Sequence, residues 1–225
     1  MSKDIESINL PLPYRLGTVN CYLVRADAGF VLIDTGCGNR VSMLEKALEG
    51  AGCLPGNLRA VVLTHGDFDH SGNAAYLRQK YGTIVAMHRD DAGMVERGDI
   101  FWNRKSGNIL FRKGASVLFK FSQSQRFTPE RYVEDGQSLA EYGWDARVVH
   151  LPGHSKGSIG VLTAAGNLFC GDLLENGKRP KLNSIVDDPV AVNTSLDKLV
   201  NLGAVTVYPG HGGPFTMEEF LDHKR

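Results

Sequence analysis

The run Thr64-His65-Gly66-Asp67-Phe68-Asp69-His70 constrains this chain more than any other segment. It is entered from an apolar stretch, Arg59-Ala60-Val61-Val62-Leu63, that reads as a short buried strand. It leaves into a helical spacing over roughly 72–81 that closes at Gly82. Two imidazoles and two carboxylates are thus held on a loop anchored in core structure at both ends. Packed together out of water, such groups are costly without a compensating cation. Imidazole and carboxylate are also the ligand types that suit zinc, iron or manganese. A solvated polar turn is the bland alternative, and this run alone leaves both open.

Three other places repeat the arrangement: Leu151-Pro152-Gly153-His154-Ser155, Phe169-Cys170-Gly171-Asp172 and Val207-Tyr208-Pro209-Gly210-His211-Gly212. In each, a candidate ligand follows an apolar run beside a glycine that permits tight backbone geometry. Strand and helix patterns alternate around them. Strands at 21–24 and 30–33 meet at the turn Asp27-Ala28-Gly29, and Val41, Leu44 and Leu48 mark a helix ended by Gly50 and Gly52. Further strands are expected at 84–87, 147–151, 159–162, 168–170 and 205–208. Asp187-Asp188-Pro189 opens a helix with Val192, Leu196, Leu199 and Val200 on its apolar face. This predicts a layered α/β protein. From about 90 to 135 the pattern becomes irregular.

Charge removes some function classes. The 25 Lys and Arg balance 25 Asp and Glu, which gives no support for binding nucleic acid or membrane through the chain as a whole. No apolar run approaches the ~20 residues of a membrane span, and the charged start, Met1 to Glu6, precedes no apolar leader segment. Cys21, Cys37, Cys53 and Cys170 lack any regular metal spacing and read as reduced thiols, so the expected location is the cytoplasm.

In order, Asp34 within Leu32-Ile33-Asp34-Thr35-Gly36, the run from His65 to His70, His154, Asp172 and His211 resemble the five motifs of the metallo-β-lactamase-fold superfamily, in its glyoxalase II and lactonase-like branch. The resemblance spans residues 34 to 211. It implies a four-layer αββα sandwich over 1–225, with a lid insertion at about 90–135, and two divalent metal ions per chain, zinc ahead of iron or manganese. By the same resemblance the first metal takes His65, Asp67 and His154, and the second takes Asp69, His70 and His211. Asp172 bridges the two, and Asp34 holds the 65–70 loop from behind. The superfamily's His-x-His-x-Asp-His motif carries Asp67 here in place of its second histidine. An oxygen donor at that position hardens the first site, resembles the diiron members of the superfamily, and leaves a single-metal site with a weakly filled first position open.

The activity implied is hydrolysis of a small ester, lactone or thioester by a metal-bound hydroxide, with Asp69 orienting the nucleophile and passing a proton to the leaving group. A diiron oxidoreductase with a separate electron donor and a phosphodiester hydrolase are the competing readings. The stretch 101–132 carries Arg104, Lys105, Arg112, Lys113, Lys120, Arg126 and Arg131 among Phe101, Trp102, Phe111, Phe119, Phe121, Phe127 and Tyr132. As a lid it suits a small substrate with an anionic group and an apolar portion; as an amphipathic helical pair it simply packs on the core. Lys178, Arg179 and Lys181 are candidate substrate-binding cations, with ordinary surface exposure the simpler account. Ser155 and Ser158 read as hydrogen-bonding residues at a strand end. His88, His150 and His223 are set outside the centre.

Overall fold

The computed structural model describes residues 4–105 and 121–222. Phe111, Arg112, Lys113, Phe119 and Lys120 of the basic stretch, and His223, lie outside the described residues. One sheet has the order β1 (Ile5–Pro11), β2 (Thr18–Ala26), β3 (Gly29–Ile33), β4 (Leu58–Val62), β5 (Ile84–Met87), β6 (Arg131–Tyr132). Its first three strands are antiparallel and the rest run parallel from β3 onward. The parallel crossovers carry α1 (Val41–Gly50), then α2 (Phe68–Ser71) and α3 (Ala74–Tyr81), then α4 (Arg89–Arg97). The second sheet has the order β13 (Phe215–Thr216), β12 (Thr206–Pro209), β9 (Asn167–Gly171), β8 (Ile159–Thr163), β7 (Ala146–His150). A two-stranded ribbon of β10 (Leu174–Asn176) and β11 (Pro180–Leu182) is joined to the segment after β12 through Asn176 and Gly212.

Side-chain alternation along the strands builds the layers. Val24, Val31, Ile33, Ala60 and Val62 of the first sheet share a core with Val148, Val161, Phe169 and Tyr208 of the second. Their neighbours Leu32, Val61 and Val85 point the other way, onto Leu44 and Leu48 of α1, Leu77 and Tyr81 of α3 and Val95 of α4. The outer face of the second sheet, with Val149, Leu162, Leu168 and Val207, is covered by α5 (Pro189–Val200) and α6 (Met217–Asp222) through Val192, Leu196, Leu199 and Phe220. This is the αββα sandwich expected. Each fully buried aliphatic, such as Leu32 or Leu44, contributes about 1.5–3 kcal/mol relative to exposure.

The hairpin turn at 27–29 forms as read, and a second hairpin turn joins β8 to β9. So does the α5 start, where the Asp188 carboxylate accepts from the amides of Val190 and Ala191 and Pro189 takes the first helical position. One expectation forms nearly as read and one needs correction. The helix read over roughly 72–81 is α3 from Ala74 onward, closed at Gly82 and set off from α2 by Asn73. Its Nδ2 donates to the carbonyls of Thr35 and Cys37, and its amide to Thr35 Oγ1. The region expected to be irregular from 90 begins with α4. That helix is capped by the His88 ring, which accepts from the Asp90 amide, and it ends at Gly98 in the left-handed conformation (φ 68°). Histidine is not a favoured cap, and a glycine at position 93 interrupts the apolar face, so the periodic signal is faint.

Candidate metal centre

Every candidate ligand follows the C-terminal end of a strand. β3 and β4 run parallel and lead to Asp34 and to the 65–70 loop. β7, β9 and β12 share one direction, since β12 is parallel to β9 and β8 is antiparallel to both β7 and β9, and they lead to His154, Asp172 and His211. The two edges are stitched together by the Ile159 amide donating to Thr64 O and the Asn20 amide donating to Gly210 O.

The four histidines are oriented alike. His70 Nδ1 donates to Asp34 Oδ2 at 2.8 Å, His154 Nδ1 to Ile185 O at 2.8 Å, and His211 Nδ1 to Thr18 O at 2.7 Å. His65 Nδ1 lies 3.0 Å from Thr64 Oγ1, whose proton is committed to Asp34 Oδ2 at 2.7 Å, so the imidazole is the donor there too. With Nδ1 protonated in all four, the bare lone pair of each neutral ring is on Nε2. Asp34, at φ 56°, also accepts from the Thr64 amide at 2.8 Å, so one carboxylate fixes both His65 and His70.

The Nε2 atoms converge with carboxylates in two groups, His65–His154–Asp172 and Asp69–His70–His211, each with ligating atoms within 4.8 Å of one another. Asp172 stands between them: Oδ1 is 3.3 Å from His70 Nε2, while Oδ2 is 3.4 Å from His211 Nε2 and 3.9 Å from His154 Nε2. His65 Nε2, His70 Nε2, Asp172 Oδ1 and Asp67 Oδ1 are buried with no hydrogen-bond partner. Native proteins rarely leave buried polar atoms unpaired. Four such buried polar atoms in one set of imidazoles and carboxylates fit a pair of divalent cations.

Asp67 is placed less simply than its expected ligand role. Its Oδ2 is 3.0 Å from His154 Nε2 and 3.5 Å from His65 Nε2, yet it also accepts from Arg104 Nη2 at 2.9 Å. Burial resists its ionisation, but the Arg104 guanidinium and both imidazoles outweigh that and hold the carboxyl well below its usual range. Asp172 is held low in the same way by His70 and His211. Asp69 goes up instead, through burial and the neighbouring Asp172 and Asp67 charges. Burial opposes the His211 imidazolium, but Asp172 and Asp69 prevail and push it up to about 9.

The centre forms the floor of a cleft of about 920 Å³. Leu12, Leu16, Phe68, Ile100, Phe101 and Ile185 give it apolar walls, and Lys178, Arg179 and Lys181 line one end, with Lys181 paired to Glu175 at 2.8 Å. Ser155 and Ser158 bond to each other at 2.7 Å. His88 and His150 stack on one another at 4.3 Å, away from the centre.

Sequence reasoning missed Asp91 and Asn20. Asp91 is 1% exposed and accepts from Gly66 N at 3.2 Å, Gly157 N at 2.7 Å and Ser155 Oγ at 2.5 Å, tying the loops of His65 and His154 together. Asn20 Nδ2 donates to Pro209 O and Gly212 O on either side of His211. A polar side chain inside the apolar β2 was the available signal for Asn20. Asp91, in the polar first turn of α4, offered none.

The sequence matches the Metallo-beta-lactamase superfamily profile over residues 14–211. It is 31% identical over 221 residues to the acyl-coenzyme A thioesterase MBLAC2 of Bos taurus, covering 90% of this chain and 76% of that protein. It is 27% identical over 205 residues to the hydroxyacylglutathione hydrolase GloC of Haemophilus influenzae, covering 88% and 87%. Among solved structures it is similar to TTHA1623 in a di-iron-bound form, with TM-score 0.71, 28% identity, and coverage of 93% and 95%.

Proposed function

The chain belongs to the metallo-beta-lactamase superfamily and is a hydrolase of it, and from that premise we propose that it is a dinuclear metallohydrolase cleaving a small thioester, ester or lactone. The observation that carries this reading is the convergence of four Nε2 atoms with Asp69 and Asp172 in two adjoining groups beneath the cleft. We assign His65, His154 and Asp67 to one cation, Asp69, His70 and His211 to the other, and Asp172 to both. Zinc is the favoured metal; the di-iron-bound form of TTHA1623 and the carboxylate of Asp67 keep iron as its rival.

Two bound divalent cations would supply a water acidified to near neutrality and Lewis acidity toward the substrate carbonyl. The protein's own part is positional. Asp34, Thr64, Ile185 O and Thr18 O keep the imidazole lone pairs aimed inward. Asp69, whose carboxyl is raised by burial, takes the proton from the attacking water and returns it to the leaving sulfur or oxygen. The apolar walls take the acyl portion, and Lys178, Arg179 and Lys181 take an anionic group on the leaving side. Phe101 and Arg104, from the expected lid, border the same cleft.

Two relatives named for thioester and hydroxyacylglutathione hydrolysis favour the thioester within this class. Among the described residues no helix is long and apolar enough to cross a membrane, and four buried unpaired cysteines support a reducing compartment, which we take to be the cytoplasm. The test is metal content of protein purified without added metal, with hydrolysis of acyl-thioester, ester and lactone panels. Zinc with thioester turnover is expected. Iron with a reversible optical change and no turnover on the panels would move the reading to redox chemistry.

A further inference from the structure

The two halves of the centre differ in one respect that the ligand set does not require. Arg104 Nη2 donates to Asp67 Oδ2 at 2.9 Å and lies 3.4 Å from His154 Nε2. It thereby stands against the coordinating atoms of two first-half residues. The Arg104 side chain is 8% exposed, so this is not a surface arginine that happens to reach inward. Its backbone is fixed by a turn in which Trp102 N donates to Asp99 O and Arg104 N to Phe101 O. Asn103 Nδ2 donates to Asp90 O, and Lys105 is held to Asp187 and Asp188. The Trp102 ring lies directly against Gly93 of α4 and beneath the Arg97 guanidinium at 4.1 Å. Among the described residues no lysine or arginine pairs with Asp69, His70 or His211, and His70 Nε2 has no hydrogen-bond partner.

We propose that Arg104 is a built-in competitor for the first half of the centre, so that the His65–Asp67–His154 half fills after the Asp69–His70–His211 half and more weakly. The proposal rests on the two-metal reading above. Two effects act in the same direction. A cation entering the first half must take Asp67 Oδ2 and His154 Nε2 away from guanidinium N–H groups, and it must then sit beside a fixed unit positive charge in a partly desolvated site. Neither obstacle exists in the second half. Arginine suits this role because it stays charged at every physiological pH and its planar fork engages two acceptors at once.

The test is calorimetric titration of chelator-stripped protein with Zn²⁺, with bound zinc counted by elemental analysis. Wild-type protein is expected to fill in two resolved steps. Arg104→Gln and Arg104→Met, which remove the charge, are expected to tighten the weaker step by roughly ten-fold or more while leaving the tighter step unchanged, as expected for losing one nearby repulsive charge. Filling of both halves of the wild type with one affinity would overturn the proposal. So would charge-removing variants whose weaker step is unchanged or weaker still. If neither variant folds, the wild-type titration alone still separates unequal from equal filling. Failure of wild-type protein to bind any zinc would instead sink the two-metal reading, with this proposal falling as a consequence.

Discussion

Replacing Asp91 with alanine removes an acceptor that serves both candidate ligand loops from behind. The Gly66 and Gly157 amides lose their partner, while the Ser155 hydroxyl keeps Ser158 Oγ at 2.7 Å. Each buried amide left unpaired costs about 1–3 kcal/mol. Release of a buried carboxylate and the better helix propensity of alanine offset part of this. The net destabilisation should be about 3 kcal/mol, a large effect with a named cause. Asp91→Asn keeps an acceptor for Gly157 but turns an N–H toward the Gly66 amide or the serine hydroxyl, and should cost about 1–2 kcal/mol. Urea unfolding measures both. Because Gly66 lies between His65 and Asp67 and Ser155 follows His154, zinc affinity should also fall by about 10–100-fold, the usual cost of losing a group that supports ligands. If the alanine variant unfolds within about 0.5 kcal/mol of wild type, Asp91 does not clamp the two loops and this reasoning is wrong.

Asp34→Ala should lower zinc affinity by about 10–100-fold, since it frees the rings of both His65 and His70; competition with a chromophoric chelator reads this directly. Gly93→Ala would push a methyl into the Trp102 indole and should cost about 1–3 kcal/mol in thermal unfolding, with a shift in tryptophan emission. The His211 pKa, raised in the folded metal-free protein to about 9, makes a signed prediction. Its contribution to metal-free stability is complete below the unfolded value of about 6.5 and is lost as pH rises through about 9. Metal-free melting temperatures should therefore fall across that window. Metal binding displaces the same proton, so zinc titrations at pH 7 in buffers of different ionisation heat should show net proton release. Unchanged melting temperature and no release would contradict the charge state assigned to His211.

Much of the architecture is written in short-range pattern. The alternation of Val31, Leu32 and Ile33 assigns each side chain to a layer, and Asp188-Pro189 announces a helix start that forms as read. The ligand candidates are legible because each sits beyond an apolar strand beside a glycine, a local feature. What organises them is non-local. Asn73 stands between α2 and α3 and finds carbonyls at Thr35 and Cys37, far away in the chain. Asp91 looks like one more solvated acid on a polar helix turn until Gly66 and Gly157 close on it. Arg104 reads as one cation among many in a basic stretch, and only tertiary contact singles out its partner, Asp67. Residues that bind through pattern can be read one segment at a time, whereas residues that bind by meeting another segment cannot.

Two of the four imidazoles are steered by main-chain carbonyls, Thr18 O for His211 and Ile185 O for His154. Thr18 adjoins Leu12 and Leu16 on one side of the cleft, and Ile185 itself forms part of another wall. The cleft walls are therefore built from the same backbone segments that set the tilt of two candidate ligand rings. A substitution at Leu16 or Ile185 chosen to widen the cleft is expected to move His211 or His154 as well.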